Sequence, residues 1–267
     1  MRIWMVDAVE IKRLQGRDSE FAELLNDLLV THGRNGGVPQ TVLRLNLNTS
    51  APDGGVDAAI DQTIPGAADV DYCNVPTCWQ YKASASGNLK PPRGGKGGQR
   101  SALAHEINKP EVQRLIGLGY GYRLCIADEL PPPRIAEWES WLKIEAVKTR
   151  PDAADPKVLT ASRLATWISR FPGLIKRLRA DLGPFRELGT WGQEIQYLTR
   201  HYHPVADWAD KLRTIREFAD FSRIPDRAVL SIRGEAGVGK TRCVYEALAS
   251  DPANRAVVVY TTSETDG

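Results

Sequence analysis

The chain has 267 residues, 42% of them hydrophobic and 25% charged, with a formal net charge of +2. That length allows one large domain or two ordinary ones, and the balance excludes a disordered or low-complexity protein. So small a net charge demands no polyanionic partner, and any basic groove must lie inside a balanced sum. Cys73, Cys78, Cys125 and Cys243 are scattered. Only CNVPTC brings two together, with no second pair to complete a zinc site, so they read as reduced structural thiols of a cytoplasmic protein. The amino terminus MRIWMVDAVEIKRLQGRDSE has charges where a signal peptide needs an apolar run. No stretch approaches the ~20 apolar residues that span a bilayer.

In chain order, DSEFAELLNDLLVTHG has apolar residues at Phe21, Leu24, Leu25, Leu28 and Leu29. That spacing predicts an amphipathic helix, with Asp18 or Ser19 as N-cap and Gly33 as its stop. TVLRLNLN alternates with period two, and GGVDAAID, TCWQYKAS and YGYRLCIADEL follow as short strands. Between the last two lies a glycine- and lysine-containing loop that feeds a helical segment from about Pro110 to Leu118. IAEWESWLKIEAVK is a further helix, and DPKVLTASRLATWISRFPGLIKRLRADLG gives a short strand and two helical pieces. TWGQEIQYLTRHYHPVADWADKLRTIREFADF is nearly all helical. The predicted organisation is a mixed α/β domain over 1–182, a helical linker over 183–223 and a third unit over 224–267.

That last segment reads strand (AVLSI), glycine-rich turn, helix, strand (RAVVVYTT), one βαβ unit of a larger parallel sheet. A lone βαβ cannot cover both faces of its sheet, so the sequence reads as the start of a longer protein. GEAGVGKT fits G-x-x-x-x-G-K-[ST] from Gly234 through Gly237 and Gly239 to Lys240 and Thr241. Backbone N–H groups in such a loop favour phosphates, the lysine reaches the β- and γ-phosphates, and the threonine can ligate Mg²⁺. The expected cofactor there is ATP with Mg²⁺.

A second constellation lies upstream. On the strand CWQYKAS, Gln80 and Lys82 share one face and Trp79 and Tyr81 the other, with Asp57 on the preceding strand behind Gly54 and Gly55. The bland reading is a half-buried strand with Gln80 and Lys82 solvated. The chemical reading is a hard divalent cation such as Mg²⁺ held by Asp57 and Gln80, with Lys82 beside the scissile phosphate. Glu20 or Glu23 from the upstream helix can add a carboxylate. Asp53 is the competing acid, although its place before a glycine pair suits a turn. Asp61 reads as a strand-end carboxylate, and Arg93, Lys96 and Arg100 can steer a phosphate backbone. His201 and His203 point apart on a helix, and Trp138, Trp141, Trp167, Trp191 and Trp208 are packing anchors.

SEFAELLNDLL, GGVDAAID and WQYK in this order resemble the PD-(D/E)xK nuclease superfamily, and within it the Mrr-like restriction endonucleases. The resemblance covers roughly the first half of the chain and implies a restriction-endonuclease-like mixed sheet flanked by helices. By position it implies catalysis by Asp57, Gln80 and Lys82 with a helix glutamate in support. There are two departures. Phe21 is followed by Ala22 where the family commonly has Phe-Glu, which leaves Glu20 and Glu23 as alternatives, and a longer insert, QTIPGAADVDYCNVPT, separates Asp57 from Gln80.

An Mrr-like module ahead of GEAGVGKTR resembles the antiviral STAND (Avs-like) NTPases. This implies a metal-dependent nuclease acting on double-stranded DNA, latent until a phage-derived trigger and ATP drive self-association into a dimer or tetramer. The trigger's sensor lies outside this sequence. Two rivals stand beside it: a catalytically inactive nuclease-like module that binds nucleic acid or a partner, and a DNA-translocating restriction enzyme. On the sequence, Gln80→Glu is expected to be tolerated, since it restores a charge that the family uses.

Overall fold

A computed structural model describes residues 5–45, 55–64, 72–85, 89, 102–179, 181–183, 185–194, 208–219, 230–235, 239–251 and 253–261. The chain divides into two compact units, residues 1–170 and 171–267. The insert and glycine-rich loop carrying Arg93, Lys96 and Arg100 lie in whole or in part outside the described residues, as do Asp53, His201, His203 and Gly237.

In the first unit a short helix α1 (Ala8–Lys12) precedes α2 (Asp18–Asn35). Phe21, Leu24, Leu25, Leu28 and Leu29 are all buried, as their 3.6-residue spacing requires. The helix starts at Asp18, with Arg17 in the cap position and no side-chain cap. It also runs past Gly33, which is buried inside it rather than ending it. Its backbone stays helical there, and the strand that follows packs against it through Leu43.

That strand is β1 (Leu43–Leu45), entered through a 3-10 turn, and β2 (Ala58–Ile60), β3 (Thr77–Lys82), β4 (Gly121–Ile126) and β5 (Lys157–Leu159) follow. They form a five-stranded sheet in the order β1-β2-β3-β4-β5. The pairs β1–β2 and β2–β3 are antiparallel, and β3–β4 and β4–β5 are parallel. Parallel neighbours need crossovers. These are α3 (Ala102–Ile107) with α4 (Pro110–Gly117), and then α5 (Pro132–Thr149).

The sheet is covered on both faces, so β3 is not half-buried. Cys78 shares its face with Leu103 and Ile107 of α3, Val112 and Leu115 of α4, and Trp138 and Leu142 of α5. By alternation Gln80 lies on that face, and it is 1% exposed. On the opposite face the Trp79 ring lies 5.8 Å from Trp167 of α6 (Ala161–Ile168), and the Tyr81 hydroxyl donates to Asn26 of α2 at 3.2 Å. The β4 residue Arg123, 1% exposed, donates to the carbonyls of Tyr72, Tyr122 and Asp155, which ties the amino end of the parallel strands to two loops.

All four cysteines are free and buried, and burial pushes the thiols of Cys73 and Cys78 up to about 12. They are therefore protonated near neutrality, and poor nucleophiles. Among the described residues no helix is long and apolar enough to cross a membrane.

The second unit contains α7 (Pro172–Leu178), β6 (Arg186–Glu187), α8 (Leu188–Glu194), α9 (Trp208–Phe218), α10 (Lys240–Ala249), α11 (Asn254–Val257) and β7 (Val259–Tyr260). One small core joins Leu212 and Ile215 of α9 to Cys243 and Ala247 of α10. Another centres on Trp191, stacked 4.6 Å from Tyr260. The strand expected from AVLSI has no strand pairing at Leu230, Ser231 and Ile232. Of RAVVVYTT, expected as a strand, the first half closes as helix α11 (Asn254–Val257) and only Val259–Tyr260 is strand, pairing antiparallel with β6. Trp191 supplies the reason, since stacking on Tyr260 brings the segment after β6 against β7.

His32, on α2, is 6% exposed and packs edge-on at 5.0 Å against Trp167, whose indole N–H donates to its Nδ1 at 3.4 Å. Burial, then the charge of Arg170, lowers its pKa to about 4. The unfolded chain therefore binds the extra proton first. Stability is complete above the ordinary histidine value near 6.5 and is lost as pH falls toward and through 4, to the order of 3 kcal/mol. Urea melts of the wild type and His32→Gln at pH 7 and pH 4.5 check this. The variant is expected to lose distinctly less stability across that interval.

Candidate functional site

The cleft that matters lies at the carboxyl end of β3, where β2 begins. Its walls are Asp18, Ser19, Phe21 and Ala22 of α2, Gly55 and Asp57 ahead of β2, Gln80, Tyr81, Lys82 and Ala83 of β3, and Lys109; its volume is about 480 Å³. The open ends of such strands are the usual place for a ligand in α/β sheets.

Asp57 is held by the ladder itself. Its N–H donates to Trp79 O at 2.9 Å, which extends the β2–β3 pairing by one rung. Beyond it Gly55, at φ +94°, turns the chain away, and Asp57 Oδ2 accepts the Tyr81 N–H at 2.7 Å in place of a backbone carbonyl. The side chain thus both points to the cleft and closes the edge of the sheet.

Gln80 and Lys82 share a face with a carboxylate from elsewhere in the chain. Glu106 of α3, 8% exposed, takes Lys82 Nζ at 3.0 Å, Lys109 Nζ at 2.7 Å and the Gln80 amide N–H, all on Oε2. Burial pushes the Glu106 carboxyl up, but hydrogen bonds and charge from Lys109 and Lys82 outweigh it and hold the group below the usual carboxylate range. Gln80 Oε1 accepts the hydroxyl of Tyr122, whose pKa burial drives well up. An anionic, acceptor-only Glu106 fixes which end of the amide faces it. Gln80 therefore lines the cleft with both ends of its amide engaged.

Asp57, Gln80 and Lys82 come together here, and Glu20 and Glu23 do not line the cleft. Glu20 is exposed and pairs with Arg17 at 3.3 Å; Glu23 is also exposed. The acid that α2 presents to the cleft is Asp18, which the sequence offers only as a cap. Asp61 pairs with Arg44 at 2.8 Å and accepts from Tyr120 at 2.9 Å. Glu106, Lys109 and Tyr122 carry no local signal in the sequence. Among the described residues no group of three or more His, Cys, Asp or Glu side chains is placed to hold a metal ion.

The cleft's oxygen donors nonetheless suit a hard cation such as Mg²⁺, which keeps most of its water and takes one or two carboxylates. The carboxylates that line the cleft are Asp57 and Asp18.

In the second unit Gly239 stands at φ +81° at the head of α10, where a Cβ would fall 2.8 Å from Trp208 Cη2, so no larger residue fits. Lys240 Nζ donates to the carbonyls of Gly234 at 2.8 Å and Glu235 at 2.6 Å, and Thr241 is exposed. The lysine is folded onto its own loop, where a phosphate oxygen can replace those carbonyls.

Gly55 is the backbone hinge of the first site. A Cβ there would lie 1.9 Å from Lys109 Cδ, and φ +94° is strained for any other L-residue. Gly55→Ala is expected to cost about 2 kcal/mol or more. In a Lys109→Ala background the cost should fall by about 1 kcal/mol, because the clashing stem is gone; denaturant melts of the four-member cycle measure both. In comparison with known proteins, no family model matches the chain, and neither the curated proteins nor the solved structures contain a match.

Proposed function

We propose that the first unit is a metal-dependent endonuclease acting on DNA, built on a restriction-endonuclease-like sheet. The observation that carries this is the convergence of Asp57, Gln80 and Lys82 on one polar cleft, with Lys82 fixed by the buried Glu106. The order of elements supports it: α2, an antiparallel β1–β2–β3, a helical crossover, then parallel β4.

Asp57, with Asp18, would hold Mg²⁺, which when bound supplies a Lewis acid at the phosphate and a polarised water. The chain's own residues do the rest. Lys82 is a preorganised cation whose ammonium offsets charge that develops on the phosphate oxygens. Glu106 aims that ammonium, and Gln80 couples Glu106 to Tyr122 so that the carboxylate cannot rotate freely. Glu106, the better buried partner, limits solvent screening on its side of the pair.

Residues 224–267 are read as part of a STAND-type nucleotide switch that binds ATP with Mg²⁺ through Gly234, Gly237, Gly239, Lys240 and Thr241. Self-association of the chain, released by a phage-derived trigger, would bring two clefts to the two strands of a duplex, since each cleft serves one phosphodiester at a time. The second reading is a binding module without catalysis. It is favoured by the engagement of both ends of Gln80, whose amide oxygen already accepts from Tyr122, so that of the expected metal pair the task falls to Asp57.

The deciding measurement is Mg²⁺-dependent cleavage of plasmid DNA. Lys82→Ala and Asp57→Asn are expected to reduce it by at least about a hundredfold. Asp57→Asn is preferred to alanine because the amide oxygen still accepts the Tyr81 N–H, so the sheet edge survives. Full activity in both variants would sink the proposal, and binding without cleavage by the wild type would favour the second reading. Gln80→Glu sets a carboxylate against Glu106, so against the sequence expectation it should destabilise the protein near neutrality, with melting temperature recovering as pH is lowered.

A further inference from the structure

We infer that Lys109 is a second phosphate contact of the cleft, paired with Lys82 through Glu106; the inference rests on the nuclease reading and assigns its substrate-binding half. Lys109 lies outside the strand motif, between α3 and α4, yet it lines the same cleft as Asp57, Gln80 and Lys82. Its stem is laid directly over Gly55, where an added Cβ would meet Cβ and Cγ at 3.0 Å and Cδ at 1.9 Å. The positive φ at Gly55 and the absence of a side chain there are therefore what let Lys109 cross the cleft wall.

The spacing of the two cations is set by a single atom. Lys109 Nζ is 2.7 Å and Lys82 Nζ 3.0 Å from Glu106 Oε2, which keeps the two nitrogens within about 6 Å of one another. A phosphodiester presents two free oxygens, each able to take an N⁺–H···O⁻ contact of about 2.8 Å, and it fits between ammonium groups so spaced. Side-chain exposure is 25% for Lys82 and 24% for Lys109, so each keeps donors for a ligand while the shared carboxylate is 11% exposed. Glu106 thus acts as the positioning residue that holds two like charges together, and the ligand it prepares for is a phosphate diester on a backbone.

Contact with a phosphate leaves a mark that a merely structural lysine does not. Each neutralised phosphate adds about 0.9 to the slope of log affinity against log salt on duplex DNA. The test is fluorescence anisotropy of a labelled duplex with the full chain in Ca²⁺ in place of Mg²⁺, over a salt series, for the wild type, Lys109→Gln and Lys109→Arg. Lys109→Gln is expected to weaken binding about equally on unrelated sequences and to lower the slope by about one, with Lys109→Arg restoring it. If the wild type binds and Lys109→Gln changes only the melting temperature, with the slope untouched, Lys109 is a counter-ion of Glu106 and the inference fails while the nuclease reading stands. If the wild type neither binds nor cuts DNA, the nuclease reading fails and takes the inference with it.

Discussion

The carboxylate of Glu106 is the interaction on which the first cleft depends. One buried oxygen gathers two ammonium groups and an amide from three places in the chain: the end of β3, the middle of β3 and the turn into α4. Removing it would leave two cations beside each other in a poorly solvated wall, and the loss of one partner of such a buried set costs about 3–5 kcal/mol. The same arrangement explains why α3 must pack where it does. Leu103 and Ile107 bury against the sheet, and this puts Glu106, between them on the helix, over the polar positions of β3.

Much of the sheet was legible in the sequence because its strands are short, alternating and flanked by turn residues. The strands around Ala58, Trp79 and Leu124 lie where the pattern places them. What the pattern misjudged was the environment of β3. Alternation says which residues share a face but not whether that face meets water, and α3, which covers it, follows a loop without periodic signal. Gly33 misled for a related reason: a glycine that ends a helix and one that stays helical inside it look the same in one dimension. Of the site, Asp57, Gln80 and Lys82 could be found from strand geometry, whereas Asp18, Glu106, Lys109 and Tyr122 are brought in by tertiary packing. Helix periodicity does not tell which of the acids on α2 faces the cleft, and the one that lines it is Asp18, not Glu20 or Glu23.

In the second unit the glycine motif and its helix were legible because the motif has a fixed spacing and Gly239 has a steric reason. Gly239 needs a left-handed backbone and has an indole against it, and Lys240 curls back on the carbonyls that precede it. The strand partner was not legible. A two-residue strand is chosen by whatever exposed edge and aromatic surface lie nearest, and Trp191 with Tyr260 decides that choice.

The bond from the Tyr81 amide to Asp57 has a consequence for how the cleft can be observed. That N–H lies near the carboxyl end of a buried strand, and its acceptor is a side chain lining the cleft rather than a backbone carbonyl of the neighbouring strand. Anything that draws the Asp57 carboxylate away loosens one backbone amide, and a mutation that removes the side-chain oxygen altogether, such as Asp57→Ala, leaves that amide without this acceptor. Solvent hydrogen exchange at a single position therefore carries a readout of the site, built into the sheet and independent of whatever chemistry the cleft performs.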